Sequence, residues 1–217
     1  MNIITSQFTF PDPIVLVFKR SVFKSISLFD IKDINGNLVF KVRNRLFSWL
    51  RETVVILDVD GNTIATLRQK FRKWEVYKGE SISKTDLVFY VKHHSKFSLK
   101  TRMDVFLADN ANKTECDFII KENYRRTDCD IYFGSNEESN DLVANICGEK
   151  TVKSFFLGEN KLSCQISPNV DPVFVVALYV ILDEDHRSSA HNSSNSHSHS
   201  NFNSGITAAT TVGACGF

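Results

Sequence analysis

Short apolar segments recur along the chain, each rich in Val, Ile, Leu and Phe and separated from the next by Asn, Asp, Gly or Lys. Several alternate with polar residues, so that Leu38, Phe40 and Val42 would share one face of a strand. This period of two is typical of antiparallel strands that turn one face to the core and the other to water. The pattern therefore predicts a mainly β protein, with strands at residues 14–19, 27–31, 37–42, 54–59, 63–68, 74–77, 87–92, 97–100, 105–108, 117–121, 129–133, 142–147, 154–157 and 162–167.

Two turn sequences, at residues 33–38 and 58–63, read almost as copies of each other. Each places Gly directly after Asn or Asp, a pair that tolerates the positive φ angles of a type I′ turn. Both are therefore predicted to be tight hairpins. The second also resembles a calcium loop in its alternating acids, but Thr63 stands where such a loop needs Gly and Gln69 where it needs Glu. We therefore predict no calcium site.

One segment near the C-terminal end departs from the strand pattern. Asp171 and Pro172 suit the N-cap and first turn of a helix, and the ten apolar residues 173–182 follow without a break. A helix apolar on all sides must be buried on all sides, and this run would span only about 15 Å, half a bilayer. A buried strand is the alternative, because the run is rich in β-branched residues and ends in acids that oppose the helix dipole. We predict a central helix near residues 172–184, with the core residues Val173, Phe174, Val176, Ala177, Leu178, Val180 and Ile181.

The composition changes the picture in three respects. With 42% hydrophobic residues the body of the chain is globular, but after residue 185 Ser, Asn and His dominate and cannot bury enough surface to fold. The five cysteines are widely spaced and form no paired motif, which indicates a reducing cytosol or nucleus. No apolar run approaches the roughly 20 residues of a membrane-spanning helix, so we expect any membrane contact to be peripheral.

The net charge of +1 hides an asymmetry along the sequence. Residues 1–102 carry 18 Lys and Arg against 9 Asp and Glu, whereas residues 103–217 carry 8 against 16. Two arrangements fit this asymmetry. In one, the first half is gathered into a basic face that attracts phosphate-bearing partners; in the other, the fold interleaves the two halves so that their fields cancel.

The body of the chain offers few residues for catalysis or metal binding. His93 and His94 would point to opposite faces of a strand, and the sequence lacks the common nucleophile, phosphate-loop and zinc motifs. A flexible tract with His191, His197 and His199 would bind a metal too loosely to define a site. We therefore predict no catalytic residue, no metal and no cofactor. The near-zero net charge and the lack of a recognition motif also argue against a nucleic-acid partner.

Five blocks of the sequence resemble the LURP-one-related proteins of plants: INGNLVFKV (34–42), VVILDVDGNTIATLRQK (54–70), WEVYKG (74–79), SLKTRMDVFLADN (98–110) and FFLGENKLSCQISPNVDPVFVVALYVILDED (155–185). The resemblance implies a mainly β, tubby-like fold, a closed antiparallel barrel of about twelve strands around a central hydrophobic helix near the C-terminal end. It divides the chain into a partly ordered leader (1–12), a barrel with its helix (13–185) and a disordered tail (186–217). Two departures stand out: Glu122-Asn123-Tyr124 replaces the family's usual Gly-Ser-Trp, and Pro172 replaces an aromatic residue.

The functional implications of the resemblance are broader. Tubby-type relatives bind phosphoinositides, others are phospholipid scramblases, and some family members are linked to pathogen defence. We therefore expect a monomeric, non-enzymatic binding or adaptor domain for acidic phospholipid headgroups or an unidentified protein partner. It would act in the cytoplasm, peripherally at the plasma membrane, or in the nucleus. A protein–protein scaffold with no lipid ligand is the alternative, and an enzyme is the third option.

A basic stretch is the candidate site for lipid headgroups. Arg68, Lys70 and Arg72 lie two residues apart, so a strand would project all three from one face, with Phe71 and Trp74 close by. Such a face could hold inositol phosphates through charge-assisted hydrogen bonds while an aromatic edge rests among the headgroups. A solvated basic face without a ligand fits the pattern equally well. The candidate residues are Arg68, Lys70, Arg72, Lys73, Lys92 and Lys96.

Overall fold

The computed structural model describes residues 1, 3–20, 27–44, 53–71, 73–94, 102–110, 114–123, 128–135, 141–148 and 161–198. The chain divides into two compact units, one within Met1–Tyr179 and one within Val180–Phe217. The described part of the first unit holds all of the strands given below and the first turns of the helix.

Twelve antiparallel strands close into a barrel, and the mainly β, closed-barrel prediction is confirmed. Each strand pairs with its neighbours in sequence, and β1 pairs with β12 to complete the ring. Closure leaves none of these twelve strands with an exposed edge that could pair with another chain. The strands are β1 (Ile14–Arg20), β2 (Ser27–Lys32), β3 (Leu38–Asn44), β4 (Thr53–Leu57), β5 (Thr63–Lys70), β6 (Lys73–Lys78), β7 (Leu87–His93), β8 (Arg102–Leu107), β9 (Phe118–Glu122), β10 (Asp128–Phe133), β11 (Leu142–Gly148) and β12 (Lys161–Ile166), with a short 3-10 helix at Lys84–Asp86.

All twelve strands coincide with segments that the alternating pattern predicted, within a few residues at each end. The two remaining predicted strands, 97–100 and 154–157, lie outside the described residues. The hydrophobic period was sufficient here because each strand turns one face to the barrel interior.

A long helix, α1 (Pro172–Ser198), follows β12. Its first turns lie inside the barrel, because their aromatic side chains contact opposite walls. The Phe174 ring lies 5.1 Å from Phe89 on β7 and 4.8 Å from Phe118 on β9. The Tyr179 ring lies 4.9 Å from Phe18 on β1 and packs on β2 as well. All seven predicted helix-core residues are fully buried.

Asp171 fixes the start of the helix and also holds the N-terminal segment. Its buried carboxylate accepts the backbone N–H of Val173 at 2.9 Å, as an N-cap residue does. The same carboxylate accepts the backbone N–H groups of Ile4 at 2.7 Å and Thr5 at 2.9 Å. The segment before β1 is further anchored by the Phe8 ring, 5.1 Å from Phe40 of β3.

The helix ends at Ser198, whereas the predicted end lay near residue 184. Extending an existing helix adds one hydrogen bond for each residue fixed. Between Pro172 and Gly205 the sequence contains no Gly or Pro that would interrupt the helix. Glu184 supports the extension locally, because it pairs with Arg187 at 2.6 Å and its carbonyl accepts the Ser188 hydroxyl at 3.0 Å. Residues 186–198 of the predicted disordered tail (186–217) belong to this helix, and the rest of the tail lies outside the described residues. Within the described residues, no helix is both long enough and apolar enough to cross a membrane.

The two copied turns form hairpins but not of the predicted type I′. That type needs positive φ at both central residues, yet only Gly36 (φ 86) and Gly61 (φ 92) have it. The Asp33 carbonyl accepts a hydrogen bond from the Gly36 N–H at 3.1 Å, and the Asp33 N–H donates one to the Asn37 carbonyl at 2.9 Å. This is a type I turn followed by a glycine bulge. The Asp33 carboxylate favours it by accepting the Asn35 and Asn37 N–H groups at 2.9 and 2.8 Å.

Candidate functional site

The candidate cations lie on the outer face of neighbouring strands β5, β6 and β7. Phe89 points inward to the helix, so the next residue, Tyr90, points outward. The strand register places Arg68 opposite Glu75, and Glu75 opposite Tyr90, in one outer row. A second row, one step closer to the strand ends, contains Lys70, Lys73 and Lys92.

Glu75 lies at the centre of these cations and is almost fully buried. Its carboxylate accepts Lys70 Nζ at 2.5 Å and Lys73 Nζ at 2.7 Å, so two predicted headgroup ligands share one counter-charge. Burial acts to raise the pKa of this carboxyl, but the bonds from Lys70, Lys73 and Tyr77 outweigh it and lower the pKa to about 2. The Tyr77 hydroxyl donates to Glu75 at 2.5 Å, and burial together with this bond raises the tyrosine pKa to about 12.

An aromatic pair forms the floor beside this cluster. The rings of Tyr90 and Phe106 are stacked, with centroids 5.1 Å apart and an interplanar angle of 10°. Lys92 Nζ lies over both rings, 4.9 Å from the Tyr90 centroid and 5.2 Å from that of Phe106, and Lys73 Nζ lies 5.5 Å from Tyr90. These cation–π contacts fix the lysines above the sheet while their ammonium groups remain at the surface.

The turn between β5 and β6 carries the most exposed large apolar residue among those described. Phe71 is 87% exposed and stands directly after Lys70 and two residues before Lys73. Arg72 and Lys96, the two other predicted ligands, lie outside the described residues. The structure therefore brings together Arg68, Lys70, Lys73 and Lys92, with an exposed aromatic residue at the adjoining turn.

Asp104, on the adjoining strand β8, lies at the centre of a second cluster of polar side chains. Its carboxylate pairs with Arg102 Nε at 3.0 Å and with His94 Nδ1 at 2.6 Å. The Cys116 thiol lies 3.7 Å from the same carboxylate. Burial is the main cause that raises the pKa of this thiol. A neutral thiol is a poor nucleophile, so this group does not resemble a catalytic cysteine site. Among the described residues, no three His, Cys, Asp or Glu side chains are grouped as metal ligands.

The charges of the barrel are sorted by end. At the end where β5 joins β6, the two terminal positions of each strand hold nine Lys and Arg against Glu122 and Asp128. We call this the basic end. At the opposite end, the described connections hold ten Asp and Glu against Lys84, with Lys32 and Lys78 at strand termini. The acids of this acidic end are Asp33, Asp58, Asp60, Glu80, Asp86, Asp109, Glu115, Asp117, Asp141 and Asp171.

This sorting bears on the two arrangements that the sequence left open, a basic region or two interleaved halves whose fields cancel. Each half of the chain supplies strands to the barrel, but the antiparallel path carries the chain alternately to one end and the other. Cations concentrate at one set of strand ends and acids at the other, so the charges do not cancel locally. The basic region is an end of the barrel, and seven of its nine cations, from Lys19 to Arg102, belong to the first half of the chain.

Sequence reasoning missed Glu75 and Tyr77 as parts of the site. A signal was present, because Lys73, Glu75 and Tyr77 alternate along one strand and must share a face. Their connection to Lys70 depends on the register across the β5–β6 hairpin, which places Lys70 opposite Lys73. The alternation could have indicated the carboxylate, but not which cations it holds.

The comparisons with known proteins agree with this architecture. A sequence profile of the LURP-one-related family matches residues 14–183. The chain belongs to the LURP-one-related family. The matched range begins at the first residue of β1 and contains all twelve strands and the apolar start of α1. The family resemblance seen in the sequence is thereby confirmed.

Individual members of the LURP-one-related family are similar over most of their length. The chain is 38% identical to protein LURP-one-related 15 of Arabidopsis thaliana, over 85% of this chain and 86% of that protein. It is 35% identical to Arabidopsis thaliana LURP1, over 84% of this chain and 88% of that protein. An Arabidopsis thaliana protein of known X-ray structure superposes with a TM-score of 0.67 at 33% identity, covering 85% of this chain and 98% of that one.

Proposed function

We propose that the chain is a non-enzymatic adaptor that docks through its basic end on membranes bearing acidic phospholipid headgroups, phosphoinositides among them. The observation that carries the proposal is the convergence of Arg68, Lys70, Lys73 and Lys92 beside the exposed Phe71. The proposed role in plant defence rests on family membership alone. If that role holds, a pathogen should grow to a different extent on a plant that lacks the gene than on wild type.

The local charge favours anions even after internal pairing. Glu75 offsets one of the four positive charges, so the cluster keeps a net charge of +3. Each cation near an anionic membrane surface contributes about 1 kcal/mol to binding. Phe71 adds an exposed apolar side chain that can enter the boundary between headgroups and acyl chains.

The ion pairs of Lys70 and Lys73 with Glu75 determine which cations can be replaced in a binding test. Removing Lys70 and Lys73 would leave the buried Glu75 carboxylate with only the Tyr77 hydroxyl among its described partners, and a loss of binding could then reflect damage to the fold. Arg68 and Lys92 have no ion pair with Glu75 among the described contacts. The Arg68→Gln, Lys92→Gln variant therefore removes two positive charges and leaves both cations of Glu75 in place, at the cost of the Lys92 contacts with the Tyr90 and Phe106 rings.

The test is flotation of the protein with vesicles of phosphatidylcholine alone or with 5 mol % phosphatidylinositol bisphosphate. Two cations at about 1 kcal/mol each correspond to a loss of affinity of about 30-fold in the Arg68→Gln, Lys92→Gln variant. The matched control is Lys78→Gln, Lys84→Gln, which makes the same charge change at the acidic end and should bind like wild type. Wild-type protein that fails to float, or equal losses in both variants, would show the lipid proposal to be wrong.

One observation favours the alternative, a protein–protein scaffold with no lipid ligand. Lys70 and Lys73 are engaged with Glu75, and Lys92 with two aromatic rings, so these cations already have a structural role. In a pure scaffold, the Arg68→Gln, Lys92→Gln variant would retain its protein partner unchanged and wild type would ignore acidic vesicles.

A further inference from the structure

Exposed aliphatic side chains occupy three successive connections at the acidic end of the barrel. Ile34 is 73% exposed in the β2–β3 turn, Val59 is 52% exposed in the β4–β5 turn, and Ile82 is 50% exposed in the β6–β7 connection. We call these residues the aliphatic tips. Turns usually carry polar residues, and the described strands need none of these side chains for the core. Three exposed aliphatic side chains at one end of the barrel offer apolar area that a partner could cover.

The aliphatic tips are surrounded by carboxylates. The same three connections carry Asp33, Asp58, Asp60, Glu80 and Asp86 against the single Lys84. The side-chain amides of Asn37 and Asn62 are the leading causes that lower the pKa values of Asp33 and Asp58. Both acids therefore remain charged throughout the cellular pH range. A partner that covers the aliphatic tips must bring positive charge with it.

The barrel geometry sets the spacing of the aliphatic tips. β3 and β4 are adjacent, so the β2–β3 and β4–β5 turns are separated by two strand spacings, about 10 Å. Seven residues of an α-helix advance about 10.5 Å. A helix with apolar residues seven positions apart could therefore contact Ile34 and Val59 together, while Lys or Arg on its flanks meets the acids.

We propose that the acidic end of the barrel is a docking surface for a basic amphipathic helix of another protein, which packs its apolar stripe on Ile34, Val59 and Ile82. The charge excludes an anionic membrane as the occupant, because its surface would be repelled by the five carboxylates. The proposed lipid contact lies at the opposite end, so the two sites do not compete. Neither proposal depends on the other.

The test is a selection from a library of random 14-residue peptides displayed on phage, with wild-type protein as bait. The counter-selection bait is the Ile34→Ser, Val59→Ser variant, which alters exposed side chains and should keep the wild-type melting temperature. We expect peptides enriched in Lys and Arg, with Leu, Ile or Phe recurring at three, four and seven positions. A Phe71→Ser bait, altered at the basic end, should select the same sequences.

The strongest peptide is then measured by fluorescence anisotropy. Its affinity should fall about tenfold for the Ile34→Ser, Val59→Ser variant, as expected when two partly exposed aliphatic contacts are lost. It should also fall for Asp60→Asn, Glu80→Gln. Equal binding to all variants, acidic or uncharged winners, or no enrichment over the counter-selection would overturn the proposal. A salt-sensitive dimer of wild type that the Ile34→Ser, Val59→Ser change abolishes would show that a second copy is the occupant.

Discussion

The buried carboxylate of Glu75 gives the neighbouring lysines a structural role. Lys70 and Lys73 look like free ligands in the sequence, but each lies within 2.7 Å of this carboxylate. A buried ion with partners is tolerated, whereas one that loses them is costly. The two lysines therefore contribute to the stability of the outer face as well as to its charge.

The pH dependence of this cluster is testable with Glu75→Gln. The pKa of Glu75 is about 2 in the folded protein against an ordinary value of 4.5, so its ionised form stabilises the fold fully above pH 4.5. That stabilisation is lost as the pH falls towards 2. We expect Glu75→Gln to melt several degrees below wild type at pH 7, with the difference narrowing between pH 5 and pH 2.5. Differential scanning calorimetry across this range measures it.

The control for this experiment is Glu80→Gln. Glu80 is exposed and accepts only the Thr63 hydroxyl among its described contacts, at 3.2 Å. Its replacement should leave the melting temperature close to that of wild type at every pH. A Glu75→Gln protein as stable as wild type at pH 7 would contradict the role assigned to the cluster.

Asp171 should be the most sensitive single polar residue among those described. Asp171→Ala leaves the N–H groups of Ile4, Thr5 and Val173 without their acceptor, and we expect the free energy of unfolding to fall by about 3 kcal/mol. Asp171→Asn keeps one carbonyl oxygen and should lose less. Urea denaturation measures both variants. A loss below about 0.5 kcal/mol for the alanine variant would mean that other groups or water replace the carboxylate.

At the scale of elements, the two copied hairpins depend on one backbone angle each. Gly36 and Gly61 have φ of +86° and +92°, with open space where a Cβ would lie. Alanine there would meet no neighbour, so its cost is the backbone strain alone, about 1–2 kcal/mol at each position. The two turns are separate, and the losses in the double variant should add. Chemical denaturation of Gly36→Ala, Gly61→Ala and both together gives the values.

Asparagine provides the matched control at these turns, because it tolerates the left-handed conformation better than alanine. Gly36→Asn should therefore be more stable than Gly36→Ala. The opposite order would indicate that something other than the φ angle determines the preference for glycine.

The central helix should not accept a charge. Leu178 is fully buried, so Leu178→Asp would place an uncompensated carboxylate in the barrel interior, and we expect the chain not to fold. Leu178→Ala, which only shortens the side chain, should fold with a loss of about 2–5 kcal/mol. Circular dichroism and solubility distinguish the two results. A soluble Leu178→Asp protein with a native spectrum would contradict the enclosed position of this residue.

The elements themselves were largely predictable from the sequence because their signals are local. Leu38, Phe40 and Val42 alternate within one strand, and the apolar run after Asp171 and Pro172 favoured a helix buried on all sides over a buried strand. The turn type was not predictable from the Asn-Gly pair alone. It depends on the Asp33 carboxylate, which draws the N–H groups of two later residues toward itself.

At the scale of the whole molecule, the charge pattern is a product of topology. Lys70 and Asp60 belong to the same half of the chain, and Lys70 ends β5 at the basic end while Asp60 precedes it at the acidic end. An average over half the sequence does not reveal this separation, because successive strands run in opposite directions and carry the chain from one end to the other. The candidate site was therefore predictable as a set of cations, but its place at one end required the strand order and register.

A barrel with oppositely charged ends should settle on an anionic bilayer in one orientation. The basic end would face the lipid, since each of its cations gains about 1 kcal/mol there while the acids of the other end are repelled. Acetylation of lysines with and without anionic vesicles, read by mass spectrometry, measures this orientation directly. We expect Lys70, Lys73 and Lys92 to become protected and Lys78 and Lys84 to stay reactive. Uniform protection would mean that the barrel binds without a preferred end, and the separation of charge would then have no part in membrane contact.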